Sequence, residues 1–180
     1  MGYWQRSRKK NSKIGVKNTG ELHLKLPESS KLSGSFLTEV CLYMKHETEI
    51  TVRFNEADPL GIVWHGHYVR YFEDAREDFG KLHGISYLDF YRNSLAVPVV
   101  AIQCDFKKPL RYGDSIIVET SYINTPAAKL NFDYLIFDAQ HGTMIASGSS
   151  SQVFVDAKTF ELQLTMPPFF DAWRKKQNLV

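Results

Sequence analysis

The sequence predicts an α+β domain in which an antiparallel sheet covers one long helix. Apolar residues alternate along several segments between positions 97 and 156, as they do in half-buried strands. One segment, 68–82, instead repeats its apolar residues at spacings of three and four, as an amphipathic helix does. Short turn signals separate the strand segments, and consecutive strands joined by short turns form antiparallel sheets.

The first predicted elements are a strand, a loop and the long helix. Thr48, Ile50, Val52 and Phe54 alternate with polar residues and predict a strand with one buried face. Residues 55–65 predict a loop. The helical stripe consists of Tyr68, Phe72, Ala75, Phe79 and Leu82. Gly84 is typical of a helix end, and Ser86 is a suitable cap for a short helix at 87–91.

Strands dominate the second half of the chain. Long alternating or apolar segments predict strands at 97–107, 115–124, 130–136 and 143–156, and a shorter one at 159–165. Small residues at 146–149 indicate a place where another group packs closely. Two prolines then precede a predicted final helix at 169–176. We expect a curled sheet to wrap the long helix, with Phe72, Phe79 and Leu82 filling its concave face and the other face left to solvent or a second subunit.

The N-terminal residues differ from the rest in charge. Residues 1–43 contain eight lysines and arginines against three glutamates, a net charge of +5, while the remaining residues carry −3. Residues 1–35 show neither strand nor helix periodicity, which favours a flexible arm. A nucleic-acid or membrane tail is the functional alternative to a merely solvated arm. We therefore predict a basic extension at 1–44 and a folded domain with a C-terminal helix at 45–180, with Met44 as a candidate natural start.

Composition narrows the function further. The 180 residues are 43% hydrophobic and 13% aromatic, enough for the core of one domain, and carry a net charge of only +2. A dedicated nucleic-acid binder would be more basic, and no apolar run approaches the roughly 18 residues of a membrane span. Cys41 and Cys104 lack the spacing of a disulfide framework or a metal site. We expect free thiols in a reducing compartment such as the cytoplasm, and neither nucleic-acid nor membrane partners.

The loop before the long helix is the most informative feature for function. Asp58 and His65 place a carboxylate and an imidazole just ahead of a helix N-terminus, whose first N–H groups lack partners within the helix. Such an end holds an oxyanion, and acid–base chemistry on a carbonyl compound needs a base close to that site. The alternative for Asp58 is a turn aspartate that binds its own backbone. Gly61 most simply provides a backbone angle that a side chain forbids, and Gly66 is positioned to present an oxyanion-binding amide.

Two motifs resemble those of hot-dog-fold acyl-CoA thioesterases, in particular the 4-hydroxybenzoyl-CoA thioesterase-like family. The family's loop pattern Asp-x-x-Gly-x-Val-x-(His/Asn)-x-x-Tyr is matched by Asp58, Gly61, Val63, His65 and Tyr68. The strand-turn-strand pattern Phe-x-x-Pro-x-x-x-Gly-Asp is matched over 106–114. The resemblance extends from Lys45 to about Ala157. Phe54 departs from it, because some members carry a tyrosine near the aspartate.

The resemblance implies hydrolysis of an acyl-CoA thioester to free acid and CoA, without a metal or other cofactor. It implies a homodimer or dimer of dimers with sites at the subunit interface. Asp58 is then general base or nucleophile, and His65 orients the carbonyl or water or helps to hold Asp58. The residues expected to bind substrate are Gly61, Val63, Trp64, Gly66, His67 and Tyr68. Alternatives are a hydroxyacyl-thioester dehydratase or hydratase on the same fold, and a non-enzymatic acyl-CoA-binding protein.

Overall fold

A computed structural model describes residues 44–180 of the chain. The basic extension and Cys41 lie outside the described residues, so the domain boundary and the start at Met44 stay predictions. Within the described part, the predicted α+β class is confirmed. Strand β1 (Met44–Thr51) is followed by a short 3₁₀ helix (Phe54–Glu56), helix α1 (Gly66–His83), helix α2 (Tyr87–Arg92) and strand β2 (Leu95–Ala96).

The rest of the domain is built mainly from long strands. They are β3 (Val99–Phe106), β4 (Ser115–Ile123), β5 (Lys129–Asp138), β6 (Met144–Val153) and the short β7 (Val155–Asp156), followed by helix α3 (Pro168–Lys176). Five strands form one sheet in the order β1-β4-β5-β6-β3, and every neighbouring pair in it is antiparallel. Strands β2 and β7 form a separate antiparallel pair.

Helix α1 packs against the concave face of the sheet, as its apolar spacing predicts. The side chains of Phe72, Ala75 and Phe79 are fully buried. The Phe72 ring stacks on Tyr134 of β5 with centroids 4.4 Å apart. A Cβ at Gly148 of β6 would lie within 2.5 Å of the Phe72 ring. This confirms the expectation of close packing at the small residues 146–149.

The helix ends and the C-terminal helix also agree with the sequence. Gly84 ends α1 with a positive φ of 74°. The Ser86 hydroxyl accepts a hydrogen bond from the Asp89 amide and so caps α2. In α3, Phe170 and Trp173 are buried in an aromatic cluster.

Three local expectations are wrong. Phe54 is not in a strand, because the chain leaves the sheet after Thr51 and turns into the 3₁₀ helix; its side chain is 78% exposed. Leu82 does not fill the concave face and is 53% exposed. The buried stripe continues instead at His83, whose ring lies 4.4 Å from that of Phe79. Residues 159–165 form no strand beyond one isolated bridge from Val155 to Leu162, because the Asp156 carboxylate accepts two amides of the following turn.

The order of the strands departs from sequence adjacency. Adjacent pairing holds for β4, β5 and β6, but β3 lies at the sheet edge beside β6, away from β4. The segment between β3 and β4 is therefore a crossover, not a hairpin. Leu110 in this segment is buried, and its backbone is hydrogen-bonded to Val63 and to the Tyr68 side chain. The crossover thus fixes the loop that carries Asp58 to the rest of the domain.

Candidate active site

The loop ahead of α1 is a compact turn held by its own backbone. The Asp58 amide donates to the Ile62 carbonyl at 2.8 Å, and the Gly61 amide donates to the Asp58 carbonyl at 2.9 Å. Ala57 and Val63 form an antiparallel bridge across the base of the turn. Gly61 has a φ of 73°, which confirms that it provides a backbone angle unfavourable for other residues.

The Asp58 carboxylate is half-buried, and only one of its two oxygens is hydrogen-bonded in the described structure. One oxygen, Oδ1, accepts the Leu60 amide at 2.8 Å, which is the local contact expected of a turn aspartate. Within residues 44–180 the other oxygen accepts no hydrogen bond from the protein. The turn contact therefore holds the carboxylate in place and leaves one oxygen free for a water molecule or a substrate.

The start of α1 leaves backbone donors free. His65 is the N-cap residue but its side chain makes no capping hydrogen bond. The amides of His67 and Tyr68 donate to the Trp64 and His65 carbonyls at 2.9 and 3.3 Å. Among the described residues, the amides of His65 and Gly66 have no acceptor. Free N–H groups at the positive end of a helix dipole form a site for an oxyanion.

Aromatic rings surround this helix start. The Trp64 ring lies 4.7 Å from the His65 ring and 5.8 Å from the His67 ring, and its side chain is 50% exposed. The same ring lies where a Cβ of Gly66 would be, so a side chain at this position would displace the ring from the helix start. His65 is exposed and makes no hydrogen bond to Asp58 in the described structure.

Val63 and Tyr68 lie beneath the loop, in the hydrophobic core. The Val63 amide donates to the Leu110 carbonyl at 2.8 Å, and the Tyr68 hydroxyl accepts the Leu110 amide at 3.2 Å. Burial raises the pKa of Tyr68, so its phenol stays protonated at neutral pH. Its ring packs in a T-shaped arrangement with that of Phe106 of β3, with centroids 4.9 Å apart. Val63 and Tyr68 therefore support the loop from inside, next to the exposed strand β3.

Sequence reasoning missed Glu56, a buried carboxylate two residues before Asp58. Its side chain is fully buried and forms an ion pair with Arg70 of α1. The partners are 14 and 15 residues away, on a different element. Neither strand nor helix periodicity relates such positions, so the sequence alone carried no signal for this contact.

The described residues contain neither a metal-binding cluster nor a membrane-spanning helix. Over 44–180, no three metal-ligating side chains come together in a cluster. No helix in this region has the length and apolar character needed to cross a membrane. Cys104 is a free thiol on β3, and burial raises its pKa to about 11.

A curled antiparallel sheet around one long helix is the architecture of the hot-dog fold, to which thioesterases belong. The chain belongs to the thioesterase-like superfamily, whose family model matches residues 52–174. It is 32% identical over 133 residues to a putative acyl-CoA thioesterase, YneP, of Bacillus subtilis; this covers 72% of the chain and 96% of the relative.

Two other relatives are informative. The structure of a DHNA-CoA thioesterase from Staphylococcus aureus superposes with a TM-score of 0.67 at 28% identity, covering 75% of this chain and 92% of that one. An acyl-acyl carrier protein thioesterase of Arabidopsis thaliana, ATL3, is 31% identical over 63% of this chain and 60% of its own length. The chain is therefore a thioester hydrolase with the hot-dog fold.

Proposed function

We propose that this protein hydrolyses an acyl-CoA thioester to a free acid and CoA, with Asp58 as general base or nucleophile. One observation carries the proposal: the free Asp58 oxygen and the unbonded His65 and Gly66 amides belong to the same short loop and helix start. A carboxylate and an oxyanion site in one rigid turn are what acyl transfer requires.

Two routes use this arrangement. As a base, Asp58 takes a proton from water while the water oxygen attacks the thioester carbonyl. As a nucleophile, Asp58 attacks the carbonyl itself, and water then hydrolyses the resulting anhydride. In both routes the carbonyl oxygen becomes an oxyanion held by the helix-start amides, the carbon–sulfur bond breaks, and CoA leaves as the thiol after taking up a proton.

The remaining residues of the loop are proposed either to contact the substrate or to support the loop that does so. Trp64, Gly66 and His67 border the free amides, while Gly61 shapes the turn. Val63 and Tyr68 support the loop from the core, and we propose that His65 orients the carbonyl or the water. A dehydratase is less well supported, since such enzymes pair a histidine with an acid distant in sequence, and Asp58 and His65 share one loop.

The thiol partner of the acyl group is either CoA or acyl carrier protein. YneP is named for acyl-CoA and ATL3 for acyl carrier protein, so an acyl-carrier-protein thioester is the second candidate substrate. We favour acyl-CoA because the YneP match extends over 96% of that relative, against 60% for ATL3.

Replacing Asp58 with asparagine tests the chemistry. Asp58→Asn keeps the size and the contact with Leu60 but removes the negative charge. We expect hydrolysis to fall by about 10²-fold or more, the scale of losing a positioned base, with folding intact. The assay measures free thiol released from a panel of acyl-CoA and acyl-carrier-protein substrates.

The matched control is Asp78→Asn, the same change at a half-exposed position of α1. It should retain the wild-type rate. Wild-type turnover in Asp58→Asn would overturn the catalytic role of Asp58. If no acyl-CoA in the panel releases thiol, the proposal that acyl-CoA is the substrate is wrong.

We also propose that the protein is a homodimer, or a dimer of dimers, that pairs through β3 and acts in the cytoplasm. The two sheet edges differ in chemistry. Strand β3 exposes Val100, Ile102 and Phe106, whereas β1 exposes Lys45, Glu47 and Glu49. An open apolar edge strand is one that natural proteins cover, while charged side chains protect an edge from pairing. Phe106 also touches Tyr68, which would bring a second protomer close to the site.

Light scattering on charge variants of both edges tests this assembly. Ile102→Lys adds a charge to the β3 edge and is expected to shift the protein to monomers at micromolar concentration. Glu47→Lys adds the same side chain to the β1 edge and should leave the dimer intact. A wild-type protein that is monomeric and fully active would contradict the proposal.

A further inference from the structure

Glu56 is a fully buried carboxylate, and both of its oxygens are hydrogen-bonded to the protein. Its side chain is 0% exposed. Oε1 accepts from the Arg70 guanidinium, and Oε2 accepts from the Tyr71 hydroxyl at 2.6 Å and from the Arg53 amide at 2.9 Å. A buried carboxylate is very unfavourable unless it is paired and hydrogen-bonded, so these three contacts form a mutually dependent set.

The protonation states agree with this geometry. Burial alone would raise the pKa of Glu56, but hydrogen bonds from Tyr71 and the Arg53 amide, together with the Arg70 charge, hold it below its usual value. Burial and the neighbouring Glu56 raise the pKa of Tyr71, so its phenol keeps the proton that it donates. Glu56 therefore stays ionised at neutral pH as an acceptor. With both oxygens occupied, it is unsuited to act as a base.

These contacts fasten the loop that carries Asp58 at both of its ends. The side chain of Glu56 joins the beginning of the loop to Arg70 and Tyr71, in the second turn of α1. Its backbone carbonyl accepts the Trp64 amide at 3.0 Å, at the end of the same loop. In contrast, the Asp58 carboxylate is held only by Leu60, inside the loop. The position of Asp58 relative to the helix-start amides thus depends on Glu56.

We propose that Glu56 is a positioning residue that fixes the Asp58 loop against helix α1 and so aligns the carboxylate with the oxyanion-binding amides. The proposal rests on the proposed function of Asp58. Its physical basis is that a misplacement of about 1 Å in a catalytic group costs up to about 10²-fold in rate.

The first test is Glu56→Gln, which keeps the shape but places an amide NH₂ against at least one donor. We expect kcat to fall about tenfold or more with KM changed much less, since the substrate-binding rings are not altered. The matched control is Glu73→Gln on α1, an exposed carboxylate 3.9 Å from Arg76, which should keep the wild-type kcat. Urea unfolding shows that each variant is folded under assay conditions. If Glu56→Gln does not fold, Tyr71→Phe removes one hydrogen bond of the set and provides the same readout.

A double-mutant cycle separates positioning from a general structural role. If Glu56 acts through Asp58, then Glu56→Gln adds no further loss of kcat in an Asp58→Asn background, because the carboxylate that it positions is absent. An equal loss in both backgrounds would overturn the proposal. So would a folded Glu56→Gln with the wild-type kcat, even if Asp58→Asn is inactive. A wild-type rate in Asp58→Asn would overturn the proposed function and the positioning role together.

Discussion

The two ends of helix α1 are built in opposite ways. At the N-terminal end the His65 side chain makes no cap, the His65 and Gly66 amides lack acceptors in the described structure, and Trp64 is half exposed. At the C-terminal end the Gly84 amide donates to the Gly80 carbonyl, and the His83 carbonyl accepts the Trp173 indole N–H at 2.8 Å. The end proposed for chemistry keeps two backbone amides available, whereas the other end has the Gly80 and His83 carbonyls hydrogen-bonded.

The C-terminal end of α1, called here the closed end, is stabilised by aromatic packing. The N-terminal end, called the open end, lacks such packing. Phe170 of α3 is completely buried and packs against Trp173 at 5.1 Å, Phe154 at 5.0 Å and Tyr122 at 6.2 Å. Unpaired donors at a helix start are unfavourable unless water or a ligand satisfies them. A well-packed anchor at the far end therefore allows a reactive helix start without loss of the fold. Three predictions test this division between the ends.

The largest expected effect is at the closed end. Phe170→Ala leaves a cavity in the aromatic cluster and is expected to lower the free energy of unfolding by about 3–5 kcal/mol. The hydrolysis rate per folded molecule should stay at the wild-type value, because the active-site loop is at the other end of α1. Urea unfolding and the thiol-release assay measure the two quantities. The control is Leu164→Ala, at an exposed residue just before α3. It should lower the free energy of unfolding by less than about 0.5 kcal/mol. Equal costs in the two variants would contradict the anchoring role.

The same substitution at one glycine from each end gives a sharper comparison. A Cβ at Gly80 would lie 2.9 Å from the Ile85 carbonyl oxygen and from the Ser86 Cα, which are backbone atoms that cannot easily move. We expect Gly80→Ala to lower the free energy of unfolding by about 1–3 kcal/mol. The atoms nearest to a Cβ at Gly66 belong to the Trp64 ring, which is half exposed and free to turn, so Gly66→Ala should lower the free energy of unfolding by less than about 1 kcal/mol. The reverse order in unfolding experiments would show that the helix start is the rigid end.

The smallest effect concerns pH. Burial lowers the pKa of His83, and the nearby charge of His46 lowers it further, from a usual value of 6.5. The folded protein therefore binds fewer protons than the unfolded chain, and stability falls as the pH drops through 6.5 until the folded-state pKa is passed. His83→Gln removes the titrating group. The free energy of unfolding, measured with urea, should therefore fall less between pH 7.5 and pH 5 than it does in the wild type. An unchanged slope in His83→Gln would show that His83 does not destabilise the fold in acid.

Much of the site could be read from the sequence because its main residues are close together in the chain. Asp58, Gly61, His65 and Gly66 lie within nine residues, so loop and helix-start chemistry alone relate them. Glu56 could not be found in this way. Its importance arises from Arg70 and Tyr71, which only the packing of the 3₁₀ helix against α1 brings to it.

The sequence by itself determined the α+β class, the limits of most helices and strands, and the loop at the start of α1. Apolar periodicity and turn residues are local properties, and they act over a few neighbouring positions. Only the tertiary structure decided that β3 lies beside β6 at a sheet edge, that Leu82 and Phe54 face outward, and that Glu56 is buried. The physical reason is that strand order and burial depend on how the helix fills the curled sheet, which is a property of the whole domain and not of any one segment.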